Sequence, residues 1–278
     1  MVVVGWVGLV GLVLTAVWGG RPYVPWGDDA PSTWRRALLR YLRGVLVGVV
    51  GGAWAGALVT GPALRLVMRL LAVTGGSDAQ GRLTEADEVI GDIDLGGTIG
   101  LVVFGGVLTG AGSGLLYVLV RRWLPAGRTG GAAFGVLHFV VAATRADPLR
   151  PGNPDFDLVG PGWLAVLTFG VVAVLHGLAV RAFVDRCSGA WARGRALGRA
   201  GLVQRLLPVP PTLVLLPFFA PFVALGAVPA VLVLRTDRLR AAGARPGALR
   251  AGRLALLAAA LITLPWTVLD LVGVVDRS

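Results

Sequence analysis

The residues best suited to chemistry are carboxylates in two segments of the chain. Glu85, Glu88 and Asp92 lie close together between positions 74 and 94, and Asp155 belongs to a second acidic segment at 145–159. Closely spaced carboxylates can exchange protons with a substrate or bind a divalent ion. We therefore treat these four as candidate catalytic residues, although their spacing matches neither an EF-hand nor another specific ion-binding loop, and we expect no metal.

Two arginines precede the first acidic segment. Arg65 and Arg69 are four residues apart, so they share one face of a helix. They could hold an anionic group beside the carboxylates. The simpler interpretation is that they pair with the acids and fix the loop. Thr84–Asp87 resembles a helix N-cap followed by acids, which predicts a short helix there.

Three further ionisable residues fall inside apolar segments, where they are costly and often functional. His138 lies midway along one segment, and His176 lies near the end of the next. Antiparallel neighbours could bring the two histidines together, either as haem ligands or, more commonly, as hydrogen-bonded groups inside a bundle. Asp270 could couple a proton or cation, or it could simply lie near the membrane surface.

The composition excludes several classes of protein. The chain has 278 residues, a mean hydropathy of +0.77 and only 15% charged residues. All of its basic residues are arginine, so it has neither a P-loop lysine nor a Schiff-base lysine. It has one cysteine, two histidines and no Gly-x-Ser-x-Gly motif. We expect no cofactor. The positive charge suits lipid headgroups, because no soluble stretch is long enough for nucleic-acid binding.

The apolar pattern predicts an all-α, polytopic transmembrane bundle that forms a single domain over residues 1–278. A spanning helix needs about 20 apolar residues. Seven candidate segments are Val2–Trp18, Gly44–Val73, Leu95–Val120, Gly130–Thr144, Gly160–Val180, Leu206–Leu234 and Leu254–Val275. The first lacks the basic region and cleavage site of a signal peptide, so we interpret it as a span.

Arginines in the connections predict the orientation. They are concentrated in the first, third and fifth connections, which places the N-terminus outside and makes 74–94 and 145–159 outer loops. The connection 235–253 contradicts this alternation, because it also carries six arginines. The alternative is six spans plus a re-entrant hairpin, in which the proline-rich segment 206–234 bends near Phe218–Phe222.

Two spans carry glycine at every fourth position. Gly44, Gly48, Gly52 and Gly56 form one series, and Gly106, Gly110 and Gly114 form the other. Small residues at this spacing allow close approach of helix backbones in lipid, so we expect these spans to pack together. The alternative is that the grooves leave room for a lipid tail or a second protomer.

Two stretches carry a resemblance. Gly81–Gly91 leads into Leu95-Gly-Gly-Thr98, and Asn153-Pro-Asp-Phe156 is followed by Gly160-Pro-Gly-Trp-Leu164. Together they resemble a group of polytopic membrane proteins of high-GC Gram-positive bacteria, to which we attach no activity. The resemblance covers about half of the chain and implies a helix bundle in the bacterial plasma membrane.

Three functions remain open. The first is a structural or partner-binding bundle, whose partners are the lipid bilayer and another membrane protein or a second copy of the chain. The second is a membrane-embedded enzyme that acts on a lipid or isoprenoid through the outer carboxylates. The third is a small transporter that uses the proline-rich segment and Asp270, although no inverted repeat is visible.

Overall fold

The structure is a computed structural model that describes residues 33–92, 94–145, 149–196 and 209–277. Its named elements are all helices. They are α1 (Trp34–Thr74), α2 (Leu95–Val120), α3 (Arg128–Ala142), α4 (Gly162–Ala196), α5 (Val209–Arg235), α6 (Asp237–Ala244) and α7 (Pro246–Asp276), with 3₁₀ turns at Ser77–Ala79 and Pro154–Asp157. Within these ranges, one isolated β-bridge joins Leu83 to Val89.

Four of the described helices are long and apolar enough to cross a membrane. They are Trp34–Thr74, Leu95–Val120, Pro246–Asp276 and, within α4, Gly162–Gly189. The all-α fold is therefore confirmed, whereas seven spans are not. The helix α3 has 15 residues, fewer than the roughly 20 that span a bilayer. The predicted span Val2–Trp18 lies outside the described residues.

The glycine series of α1 and α2 face each other, as predicted. A Cβ atom added at Gly52 would overlap the carbonyl oxygen of Gly110, and one added at Gly56 would overlap that of Gly106. At Gly48 the added Cβ would lie 3.0 Å from the Gly114 carbonyl oxygen. The two backbones thus fill each other's grooves, and the alternative that these grooves admit a lipid tail or second protomer is wrong.

The main core is formed by residues of α1, α2, α3, α4 and α7. Gly135 and Gly177 allow α3 and α4 the same close approach, since a Cβ at either would meet the other helix's backbone. Phe134 is 1% exposed and packs edge-on against Tyr117 of α2, with ring centroids 5.2 Å apart. Because lipid is as apolar as these side chains, the close fit itself holds the helices together.

The helix α5 is continuous from Val209 to Arg235, with Pro217, Pro221 and Pro229 inside it. The predicted bend near Phe218–Phe222 is therefore wrong. Each proline removes one backbone donor, but neighbouring helices can compensate in an apolar bundle, and such prolines are tolerated. A separate contact ties α5 to α1, since the Tyr41 hydroxyl donates to the Val223 carbonyl at 2.7 Å.

The arginine-rich connection 235–253 lies beside the turn at 121–127. Arg122 Nη2 donates to the Gly243 carbonyl, and the Trp123 ring packs directly on Gly252. Seven crossings in strict alternation would have placed these two connections at opposite ends. The structure instead gathers them at one end, which we call the basic end. The loops 74–92 and 149–161 lie at the other end, which we call the acidic cap.

Candidate functional site

A chain of hydrogen bonds connects three helices inside the bundle. Thr60 Oγ1 lies 2.6 Å from His176 Nδ1, and Ser113 Oγ lies 2.6 Å from His176 Nε2. Ser113 Oγ also donates to the Gly110 carbonyl oxygen at 2.9 Å. Thr60, Ser113 and His176 are 6%, 3% and 3% exposed. These hydrogen bonds therefore join α1, α2 and α4 in a closed part of the interior. We call Thr60, Ser113 and His176, with the bonds between them, the polar chain.

A π-helical turn places Thr60. The segment Gly56–Thr60 of α1 is π-helical and is followed by Gly61 and Pro62. Proline has no backbone N–H, so a regular α-helix would lose a hydrogen bond at this point, and the wider turn is one way to accommodate that loss. The π-helical segment Leu101–Leu108 of α2 lies alongside, in contact through Gly56 and Gly106. Single π-turns of this kind are frequent at functional sites.

The direction of the hydrogen bonds follows from the number of protons available. In the assignment that satisfies every donor, Ser113 gives its one proton to the Gly110 carbonyl and its oxygen accepts a hydrogen bond from Nε2–H of His176. Nδ1 of the neutral imidazole is then an acceptor, and the Thr60 hydroxyl donates to it. Every donor in the polar chain then has an acceptor. The reverse direction would leave the Thr60 proton without an acceptor among the described residues.

This direction decides what the polar chain can do chemically. A serine beside a histidine that a third group orients is the usual arrangement of an activated nucleophile. Activation, however, requires the histidine nitrogen to accept the serine proton, whereas in the assignment that satisfies every donor Nε2 carries a proton and donates a hydrogen bond to Ser113. The 3% exposure of Ser113 also leaves no approach for a substrate. The arrangement therefore joins α1, α2 and α4 through one buried imidazole.

His138 lies next to the polar chain. Its ring centroid is 5.8 Å from that of His176 and 6.2 Å from that of Phe134, so the two histidines are neighbours, the arrangement that antiparallel helices could produce. Haem ligation by both would require a ring nitrogen of each to point at the iron. Both nitrogens of His176 are already hydrogen-bonded to hydroxyl groups, so the pair does not fit a haem site. Within the described residues no three metal-binding side chains cluster together.

Glu85 ties together the two loops of the acidic cap. Its carboxylate forms an ion pair with Arg150, and its backbone N–H donates to Asp155 Oδ1 at 2.8 Å. The Asn153 side chain in turn accepts from the Asp155 N–H at 2.8 Å, which fixes the turn Pro154–Asp157. The structure thus brings Glu85 and Asp155 together, in contacts that hold the loops.

The two arginines of α1 also contact the first loop. Arg69 Nη1 donates to the Gly91 carbonyl at 2.5 Å, and Arg65 interacts electrostatically with Asp94. Asp94 is the N-cap of α2. Hydrogen bonds from the Gly97 and Gly96 N–H groups, together with Arg65, hold the pKa of its carboxyl below the ordinary value. These contacts agree with the simpler interpretation that the arginines fix the loop.

The predicted helix at Thr84–Asp87 is wrong, because the segment forms a tight turn. Thr84 N donates to the Glu88 carbonyl at 2.9 Å, and Glu88 N donates back to Thr84 Oγ1 at 3.1 Å. Asp87 has a φ of 60°, a left-handed conformation that aspartate tolerates better than most residues. The pairing of Leu83 with Val89 reverses the chain before a helix could begin.

The remaining predicted residues are apart from the polar chain. Glu88 and Asp92 are exposed on the cap, and the Glu88 carboxylate lies close to Gly97 at the start of α2. Asp270 is half-buried on α7, near the acidic cap, and has no hydrogen bond or ion pair within the described part of the chain. The structure does not bring Asp270 to the histidines.

Sequence reasoning missed Thr60 and Ser113. Both are rare polar residues in apolar, glycine-rich spans. Thr60 directly precedes Gly61-Pro62, and Ser113 precedes the last glycine of the α2 series. Those positions were the available signal, because a hydroxyl on a close-packed helix face can hydrogen-bond across to the neighbouring helix.

Comparisons with known proteins add no further information. No protein-family model, curated protein or solved structure matches this chain.

Proposed function

We propose that the protein is an integral membrane protein without a catalytic site, a structural or partner-binding helix bundle. The observation that carries this proposal is the polar chain itself, in which Thr60 Oγ1 and Ser113 Oγ each lie 2.6 Å from one of the two ring nitrogens of His176. A buried set of hydroxyl and imidazole groups that satisfy one another is suited to a rigid scaffold.

Its membrane placement is part of the proposal. Arginines concentrate in the turn 121–127 and the connection 235–253, and positively charged connections normally face the cytoplasm. The acidic cap then faces outward, as in the plasma membrane of a bacterium of the kind the resemblance implies. A first span at Val2–Trp18 would place the N-terminus outside and add to the crossing helices.

The acidic cap is the surface that this proposal assigns to a partner protein. Asp78, Asp87 and Glu88 are exposed, whereas Glu85 and Asp155 are used to hold the loops. A cap braced by internal contacts presents its other carboxylates in fixed positions, which favours a partner with a basic surface. A photo-crosslinking residue at position 78 should give a discrete protein adduct that Asp87→Asn/Glu88→Gln weakens. Adducts with lipid alone would contradict this part of the proposal.

A membrane-embedded enzyme is the second candidate, and one observation favours it. The Ser113–His176 distance of 2.6 Å is that of a nucleophile and its base. The outer carboxylates offer less support, because Glu85 and Asp155 hold the cap together. The transporter hypothesis has no comparable support, since α5 is unbroken and Asp270 lies apart from the histidines.

A fluorophosphonate probe, which reacts with activated serines, separates the two candidates. We expect the protein in native membranes to remain unlabelled, while an added serine hydrolase in the same sample is labelled. Labelling that Ser113→Ala abolishes would show an activated serine and overturn the structural proposal.

Substitutions of the two hydroxyl residues test the structural role of the polar chain directly. Ser113→Ala and Thr60→Val should each lower the free energy of unfolding in detergent by about 1–3 kcal/mol, because each leaves a buried partner unsatisfied. Thr168→Val is the matched control on α4, since the Thr168 hydroxyl bonds only to carbonyls of its own helix. If all three variants unfold alike, the polar chain does not hold the bundle together.

A further inference from the structure

Positive charge is concentrated in one connection of the basic end. The connection 235–253 contains six arginines, Arg235, Arg238, Arg240, Arg245, Arg250 and Arg253, against one acid, Asp237. Docking of this connection on the 121–127 turn adds Arg122, which donates to Gly243. Like charges gathered in this way repel one another unless an anion lies among them.

The arrangement of the patch is fixed by the contacts of α6 and α7. Arg122 lies over the Trp123 ring, 5.5 Å from its centroid, and Trp123 packs on Gly252 at the start of α7. Arg245 is two residues beyond Gly243, and Arg250 is two residues before Gly252. Arg238, Arg245 and Arg250 are exposed. We call these three residues, with Arg122, the arginine patch.

Apolar surface continues directly from the arginine patch along two helices. On α7, Leu254 is 64% exposed, and Leu261 and Ile262 follow on the exposed side. On α5, Leu232 is 56% exposed and lies one turn before Arg235. A cationic patch next to an exposed apolar strip matches the two parts of a phospholipid, a phosphate headgroup and its acyl chains.

We infer that the arginine patch binds the headgroup of an anionic phospholipid, whose acyl chains lie along the exposed faces of α5 and α7. Guanidinium groups suit this role because they bind phosphate oxygens in a two-pronged geometry and are weakly hydrated. This inference does not depend on the proposed function, since a scaffold, an enzyme or a transporter could each hold such a lipid.

The test is lipid binding to the purified full chain in a mild non-ionic detergent. We expect short-chain phosphatidylglycerol to raise the melting temperature in a saturable manner, and short-chain phosphatidylcholine to have little effect. Each patch arginine should contribute about five-fold to the apparent affinity, from about 1 kcal/mol per arginine near an anionic surface. Arg245→Gln and Arg250→Gln should therefore each weaken binding about five-fold, and the double variant should weaken it further.

Arg82→Gln is the matched control, because Arg82 is an exposed arginine of the opposite, acidic end. It should leave the phosphatidylglycerol effect unchanged. Equal stabilisation by phosphatidylcholine, or an unchanged response in Arg245→Gln/Arg250→Gln, would overturn the inference. Stabilisation by inorganic phosphate alone, equal to that by phosphatidylglycerol, would show an anion site without a lipid and would also overturn it.

Discussion

A hydroxyl group placed in lipid must find a hydrogen-bond partner, and in this bundle Thr60 and Ser113 find the same one. His176 joins them through its two ring nitrogens, so one side chain of α4 fixes positions on both α1 and α2. The acidic cap uses polar residues in a similar way, with Glu85 contacting Arg150 and Asp155 across two loops. At the residue scale, polar groups hold the helices and loops in place.

Asp94 provides a pH-dependent prediction at this scale. Because its folded pKa lies below the ordinary value of 3.8, the N-cap contributes stability above that value and loses it as the pH falls through the lowered folded pKa. Amide exchange at Gly96 and Gly97 should therefore accelerate below about pH 4, relative to its intrinsic rate. Asp94→Asn keeps a capping side chain without a charge and should remove this dependence. An identical pH profile in the variant would contradict the assignment.

The residues that sequence reasoning could and could not identify differ in a simple physical respect. His138 and His176 were conspicuous because an ionisable group in an apolar segment is rare, and helix direction predicted that they would approach each other. Thr60 and Ser113 were not identified, since a hydroxyl can bond to its own helix and its sequence does not show which choice it makes. Thr263, which bonds to Ala259, makes the other choice.

At the scale of helices, close backbone contact between glycines sets the packing of α1 on α2. The glycine repeat predicted this pair correctly because its period matches that of a helix face. The continuous helix α5 could not be predicted, because prolines at 217, 221 and 229 are compatible with either a bend or a helix that its neighbour supports. The contact from Tyr41 to Val223 belongs to tertiary structure, and no local pattern encodes it.

Alanine substitutions test the glycine contact. Gly52→Ala should destabilise the bundle by about 1–3 kcal/mol, because the added methyl group would overlap the Gly110 backbone. Gly273→Ala is the control within α7, where an added Cβ meets nothing within 4 Å. The control should be neutral or stabilising by up to about 1 kcal/mol, the helix preference for alanine. Unfolding in a denaturing detergent titration measures both, and equal stability of the two variants would rule out a closed groove.

At the scale of the whole molecule, charge is divided between the two ends. The connection 235–253 and the turn 121–127 share the basic end, whereas the carboxylates collect in the acidic cap. The arginine count alone could not show on which side of the membrane the connection 235–253 lies, because that depends on whether α5 crosses the membrane. The contact between Arg122 and Gly243 places this connection beside the turn 121–127, at the basic end.

Cysteine accessibility in intact cells tests this division. In a Cys187→Ser background, Ala86→Cys in the acidic cap should react with a membrane-impermeant maleimide from outside. Ala241→Cys in the basic end should react only after the membrane is permeabilised. Both positions are exposed, so accessibility to the reagent is comparable. Labelling of Ala241→Cys in intact cells would place the connection 235–253 outside and contradict the proposed orientation.

The protonation of His176 tests the central claim most directly, because the non-catalytic role depends on which ring nitrogen carries the proton. Nitrogen-15 NMR of histidine-labelled protein, with His138→Gln to assign the signals, distinguishes the two neutral forms. We predict a neutral His176 protonated at Nε2 and unprotonated at Nδ1, the form that donates to Ser113. Protonation at Nδ1, with Nε2 free to take the Ser113 proton, would contradict the account and favour an activated serine.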